Sequence, residues 1–144
     1  TQMNENLTRE LNGAALAYLG DASLELLTRR FLLSLGLTGS GKLNHLALNF
    51  VKATAQSKAV DKLLPHLTEE EEYAYKRGRN ASGISAPKSA SALDYRRATG
   101  LEAVFGWLDI KNQPDRAAEL FDLAYANVIS EMRSNLKGTP PCQK

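Results

Sequence analysis

The sequence predicts an all-α domain of about five or more helices, and three observations carry that reading. Apolar residues recur at i, i+3 and i+4 over several long stretches. Clusters of Gly, Pro, Ser and Asn separate those stretches. Nowhere does strict apolar/polar alternation mark a strand.

The first stretch, Leu11–Glu25 (LNGAALAYLGDASLE), sets Leu11, Ala14, Ala15, Tyr18, Leu19 and Ala22 on one face, which is predicted to be buried. Asn12 or Thr8 is positioned to cap it. The pattern continues through Leu24, Leu27, Phe31 and Leu32 and stops before Gly36. Leu37–Lys42 (LTGSGK) reads as a Gly/Ser turn; it lacks the glycine spacing and preceding strand of a phosphate-binding loop. A second helix is expected over Leu43–Leu64, with Leu46, Phe50, Val51, Ala55, Ala59, Val60 and Leu63 inside and Pro65 closing it. Thr68 then opens a third helix as one half of a capping box with Glu71. Glu69–Glu72 favour the positive end of its dipole and read as a solvated run rather than a metal site. This helix is expected to fade by Gly78, and residues 79–91 (RNASGISAPKSAS) form the one long loop. A fourth helix spans Ala92–Ile110, carrying Tyr95, Leu101, Phe105 and Leu108. Asn112–Pro114 breaks it, and Asp115–Met132 forms a fifth with Ala118, Leu120, Phe121, Ala124, Val128 and Ile129 inside. The organisation expected is an N-terminal extension over 1–10, one domain over 11–132, and a disordered tail over 133–144.

Composition narrows the class. At 144 residues the chain is large enough for a core without staples. Its 43% apolar and 24% charged content are those of a soluble globule. No run is long enough to cross a bilayer, and the polar TQMNENLTRE start lacks the apolar segment of a signal peptide. The single cysteine, Cys142, excludes a disulfide framework and a Cys-based zinc site. A cytoplasmic setting is the expectation.

Two acids stand out because each lies beside an apolar stripe. Gly20 is costly in a helix interior, and Asp21 follows it where an unpaired charge is expensive. That arrangement reads either as a surface Asp beside a close helix crossing or as a metal ligand. Glu102 sits in the apolar middle of the fourth helix, with Gly106 one turn after it and Thr99 one turn before. Two such helices crossing closely would bring Asp21 and Glu102 together. Paired carboxylates repel unless a cation or proton lies between them. Mg2+ fits, because it takes one or two carboxylates, keeps several waters and leaves room for a phosphate. The bland alternative pairs Glu102 with Arg96, Arg97 or another cation.

Basic residues supply a partner for that site. From Lys76 to Arg97 there are six cations (Lys76, Arg77, Arg79, Lys88, Arg96, Arg97) against one acid, Asp94. Lys, Arg, Asn80, Ser and backbone N–H groups are the donors that track phosphates. The only aromatics nearby, Tyr73, Tyr75 and Tyr95, are too few for a single-strand reader. Duplex recognition through phosphates and 2′-hydroxyls fits better, against the alternative of a merely solubilising loop.

These residues also resemble a known family. ALAYLGDA (Ala15–Ala22) is similar to the signature helix of ribonuclease III catalytic domains, and Glu102–Gly106 (EAVFG) resembles their second acidic motif. More closely, the chain resembles the Mini-ribonuclease III branch, which lacks a double-stranded-RNA-binding domain. Leu11–Ala22, Thr68–Glu72, Lys76–Ala81, Pro87-Lys88, Tyr95-Arg96 and Thr99–Gly106 carry that likeness, in order, over about Leu11 to Ala124. The resemblance implies an all-helical homodimer that cleaves double-stranded RNA with Mg2+, leaving 5′-phosphate and 3′-hydroxyl ends. It implies action on large-subunit ribosomal RNA precursors with a ribosomal protein as helper. By motif, Asp21 and Glu102 are the catalytic metal ligands, supported by Gly20, Thr99 and Gly106. Lys76, Arg77, Arg79, Asn80, Lys88 and Arg96 are the RNA-binding set. Two positions depart from the full-length family: Ala17 stands where it has a glutamate, and Thr99 where it has an aspartate.

A helical His-Asp phosphohydrolase is disfavoured, since neither His45 nor His66 is followed by Asp. A non-catalytic RNA-binding or ribosome-associated module would be marked by loss of an acid at position 21 or 102, and both are present. For the homodimer, the apolar run Phe31-Leu32-Leu33 looks too broad for one buried stripe.

Overall fold

Asn12 opens the first helix by accepting the Ala15 N–H on its side-chain oxygen at 2.8 Å, which satisfies one of the free donors at a helix start. The computed structural model describes residues 11–81 and 91–137. Among them are seven α-helices and no strand: α1 (Gly13–Ser34), α2 (Ser40–Val51), α3 (Ala53–Leu63), α4 (Glu69–Arg79), α5 (Ala92–Ile110), α6 (Pro114–Ala124) and α7 (Ala126–Lys137), with a 3-10 turn (Leu64–His66) before α4. The all-α expectation is met. No helix among the described residues is long and apolar enough to cross a membrane. Thr8, Pro87, Lys88 and Cys142, the 1–10 extension and most of the expected tail and long loop lie outside the described residues.

Helix α5 is the axis of the fold. Helices α1, α3, α4 and α6 all pack on it, α1 most extensively. Leu101, Ala103, Val104, Phe105 and Leu108 of α5 are fully buried, as expected of a helix enclosed by others. Helix α1 meets it through glycine. A β-carbon on Gly20 would fall 1.5 Å from the Glu102 carbonyl oxygen, and one on Gly106 would fall 1.9 Å from the Leu16 carbonyl oxygen. Only glycine permits backbones to approach that closely.

That crossing overturns the expected orientation of α1. The face that packs inward carries Gly13, Leu16, Ala17, Gly20, Leu24, Thr28, Phe31 and Leu32. The stripe predicted as buried instead points largely outward, with Tyr18 86% exposed and Ala22 exposed. Glycine at the crossing decided the orientation, because interhelical distance depends on the side chains at the contact. Phe31 and Leu32 are also taken into the core, so only Leu33 of that apolar run stays on the surface.

Several further expectations change. The stretch 43–64 is not one helix. Lys52 is extended (φ −63, ψ 144) and separates α2 from α3. The kink leaves the Phe50 carbonyl without a continuing helical turn, and the buried Tyr125 hydroxyl donates to it at 2.8 Å. Residues 115–132 likewise divide at Tyr125, which α6 and α7 flank. Phe50 lies among Phe31, Phe121 and Tyr125 with ring centroids 5.0 to 5.7 Å away, so both breaks serve one aromatic cluster. Ala117, not Ala118, faces that interior. Helix α7 runs on to Lys137, so residues 133–137 of the expected disordered tail are helical.

The acidic run is only partly solvated. Glu71 is 2% exposed. It completes the capping box with Thr68 and takes two hydrogen bonds from Arg116, at 2.8 and 2.9 Å. Burial pushes its carboxyl up, but Arg116 and the Thr68 contacts outweigh burial and hold it below the usual carboxylate value. Arg116 also donates to the His66 carbonyl at 2.7 Å, so α6 fastens the start of α4.

Candidate metal and RNA-binding site

Asp21 and Glu102 meet at the α1–α5 crossing. Gly20 rests against the backbone of Glu102 itself, which places the next residue, Asp21, beside the Glu102 side chain. Asp21 is exposed and Glu102 half-buried. Burial first, then the Asp21 carboxyl beside it, push the Glu102 carboxyl up to about 8. A carboxyl so raised keeps its proton at neutral pH until a cation between the acids displaces it.

The bland alternative fails on geometry. Arg97 turns away from Glu102, donating to the Ser57 carbonyl at 2.8 Å and pairing with Asp61. Arg96 is exposed. The charged group acting on Glu102 is the other acid. Thr99, one turn earlier, is buried and its hydroxyl donates to the Tyr95 carbonyl at 2.9 Å. It therefore packs α5 where an acidic side chain at that position would point a third oxygen donor. Gly20 and Gly106 are the crossing.

What could sit between the acids follows from the donor set. Among the described residues no group of three or more His, Cys, Asp or Glu converges on one point. Two oxygen donors without nitrogen or sulfur suit a hard divalent cation that keeps much of its water.

The basic residues lie beside this pair. A β-carbon on Gly78 would fall 2.7 Å from the Thr99 carbonyl oxygen and 2.5 Å from the Ala103 β-carbon, so the C-terminal end of α4 abuts α5 one turn before Glu102. Lys76, Arg77, Arg79 and Asn80 are carried at that end. Lys76 reaches Glu72 at 3.3 Å in an exposed pair, which contributes little to stability. Arg77 lies over the Tyr73 ring at 5.5 Å, and Arg79 over the buried Tyr75 ring at 5.6 Å while donating to Asn80 at 3.2 Å. Tyr75 in turn packs against Gly100. Only Tyr73 of the three nearby tyrosines is strongly exposed, so stacking surface is scarce. The positioning roles of Arg97 and Arg116 were not visible in sequence, because their acidic partners stand 36 and 45 residues away.

Comparison with known proteins places the fold in a family. A family model described as the Ribonuclease III domain matches residues 14–113. A Mini-ribonuclease 3 of Enterococcus faecalis is 44% identical over 116 residues, 79% of this chain and 88% of the relative. A Mini-ribonuclease 3 of Brevibacillus brevis is 40% identical over 130 residues, 88% and 97% of the two chains. The crystal structure of a Fusobacterium nucleatum protein superposes with a TM-score of 0.73 at 29% identity, covering 83% of this chain and 95% of that one.

Proposed function

The chain belongs to the ribonuclease III domain family and is an endoribonuclease, and from that premise we propose that Asp21 and Glu102 hold the Mg2+ with which it cuts double-stranded RNA. The observation that carries this reading is the meeting of two acids at a glycine crossing, with neither paired to a cation among the described residues.

Bound there, Mg2+ supplies activation of a water and neutralisation of charge at the scissile phosphodiester. The chain's own residues do the rest. Asp21 and Glu102 are held by backbones locked together at Gly20 and Gly106, so the acids need no reorganisation to present their oxygens. Thr99 fixes the turn of α5 that carries Glu102. Lys76, Arg77, Arg79, Asn80 and Arg96, with Lys88 from the loop, meet phosphate oxygens and set the duplex in register without reading bases. The products are a 5′-phosphate and a 3′-hydroxyl.

A second copy completes the enzyme. Helix α1 is apolar on the side away from the core as well: Ala15, Tyr18, Ala22, Leu26 and Leu33 recur at helical spacing. Tyr18 is 86% exposed, and Leu26 and Leu33 are 54% exposed. A stripe of that kind marks a protein contact, and a twofold pairing through it gives two Asp21/Glu102 sites for the two strands of a duplex. The likeness to the Mini-ribonuclease 3 group supports precursors of large-subunit ribosomal RNA as the substrate, in the cytoplasm, with a ribosomal protein as helper.

The test is incubation of the chain with a duplex RNA, with Mg2+ and with chelator. Mg2+-dependent cuts whose downstream fragments are ligated without added kinase support the reading. Binding without cutting in Mg2+ replaces it with the non-catalytic RNA-binding module.

A further inference from the structure

A second basic surface lies away from the Asp21/Glu102 pair. Helices α2, α3, α6 and α7 enclose a groove of about 360 Å³. Lys52, Lys58 and Lys62 line it, joined by the Thr54 hydroxyl and the amides of Asn49 and Asn127, and the lining contains no acid. All six of these side chains are exposed. Among the described residues none of the three lysines has an ion-pair partner; Asp61, the nearest acid in sequence, is occupied by Arg97. Lys58 and Lys62 stand one turn apart on α3, where like charges work against the helix. A fold keeps such a row at some cost to itself, and an anion relieves it.

The side chains narrow the class of anion. Lys, Thr and Asn are the donors that meet phosphate oxygens. Its apolar lining is aliphatic (Leu48, Ala55, Ala59, Ala124 and Val128), with no exposed aromatic to anchor a peptide helix. Tyr125, the one aromatic in the lining, is buried with its hydroxyl taken by the Phe50 carbonyl, so no base can stack there. Flexible ammonium groups acting as point charges, without arginine forks, suit a backbone held in loose register.

The groove is also rigidly tied to the active helix. Arg97 of α5 grips the Ser57 carbonyl and Asp61 of α3, and it precedes Glu102 by five residues, about 7.5 Å along the helix. A polyanion engaged at the acids has a fixed second contact within the same domain.

We propose that the Lys52/Lys58/Lys62 groove is a second RNA-backbone site, holding phosphates of the same duplex outside the stretch that is cut. This rests on the reading of the chain as a double-strand endoribonuclease. It adds phosphate contacts to those carried at the end of α4.

The experiment measures duplex RNA binding in the Asp21→Asn background against salt, with and without the triple change Lys52→Ala, Lys58→Ala, Lys62→Ala. Melting curves of both proteins establish that the exposed substitutions leave the fold intact, and a Lys→Arg triple variant serves as rescue. On a long duplex the Ala variant should bind at least about tenfold more weakly. Its plot of log affinity against log salt should flatten by up to about one per lysine. Equal affinity and slope on long duplexes overturn the proposal while leaving the cleavage reading intact. Failure of the unmutated chain to bind or cut any duplex overturns that reading instead. Loss of polyglutamate binding with unchanged RNA binding would assign the groove to an acidic protein and also refute the proposal.

Discussion

Gly20 and Gly106 face each other backbone to backbone: a β-carbon on Gly20 would come within 2.8 Å of the Gly106 nitrogen, and one on Gly106 within 3.0 Å of the Gly20 nitrogen. The same contact that brings these two nitrogens together carries Asp21 to Glu102. Fold and candidate site therefore share one joint. Gly106→Val should lower stability by about 3 kcal/mol or more through overpacking and abolish cleavage together. Thermal unfolding with wild-type midpoint would show that α1 and α5 do not meet this way.

Asp21→Asn and Glu102→Gln should each remove cleavage while leaving helix content and duplex binding close to wild type. The readouts are circular dichroism, filter binding and a gel-based cleavage assay. Undiminished cutting by either variant would sink the assignment of these two acids as ligands.

Arg77→Ala with Arg79→Ala should weaken duplex binding with little regard to sequence. The salt slope should fall by about one for each phosphate that is no longer neutralised. Arg79 lies on Tyr75 and Arg77 on Tyr73, so the drop in stability should stay within about 1 kcal/mol, the scale of an exposed cation–π contact. A salt slope equal to that of the unmutated chain would point the end of α4 away from RNA.

Tyr18→Glu should split a dimer, because it sets a charge in the middle of the exposed apolar stripe of α1. Light scattering should give about twice the 15.8 kDa chain mass for the unmutated protein and the single mass for the variant. An unmutated chain that scatters as a monomer while cutting both strands would refute the pairing.

Glu71 adds an acid-side pH dependence to the stability. Its folded carboxyl titrates below its ordinary value of 4.5. Its contribution is thus present above that value and fades as pH falls through 4.5 toward the folded value. Glu71→Gln should cost about 2 kcal/mol at neutral pH, the scale of hydrogen bonds to a charged group. The gap from wild type should close as pH falls below 4.5. Chemical denaturation across that range reads it, and a gap that widens toward acid would mean that folding raises this carboxyl instead of lowering it.

The sequence by itself determined most of the helical stretches and two of their caps. Asn12 and Thr68 cap where their short oxygen-bearing side chains predict, and Ala92–Ile110 forms as one helix, because caps and 3.6-residue periodicity act within a few residues of the chain. It also marked Asp21 and Glu102, since an acid beside glycine in an apolar helix is locally anomalous. Only the tertiary structure decided which face of α1 turns inward. Periodicity weighs Tyr18 and Ala22 as core, whereas backbone approach at Gly20 and Gly106 selects the small-residue face and leaves Tyr18 outside. The kinks at Lys52 and Tyr125 were equally invisible, because the Tyr125 hydroxyl that satisfies the Phe50 carbonyl comes from 75 residues away. So was the fate of Glu71, solvated by pattern and buried by Arg116. Short-range hydrogen bonding writes the helices; long-range packing and pairing choose their faces, and no window of sequence contains both partners.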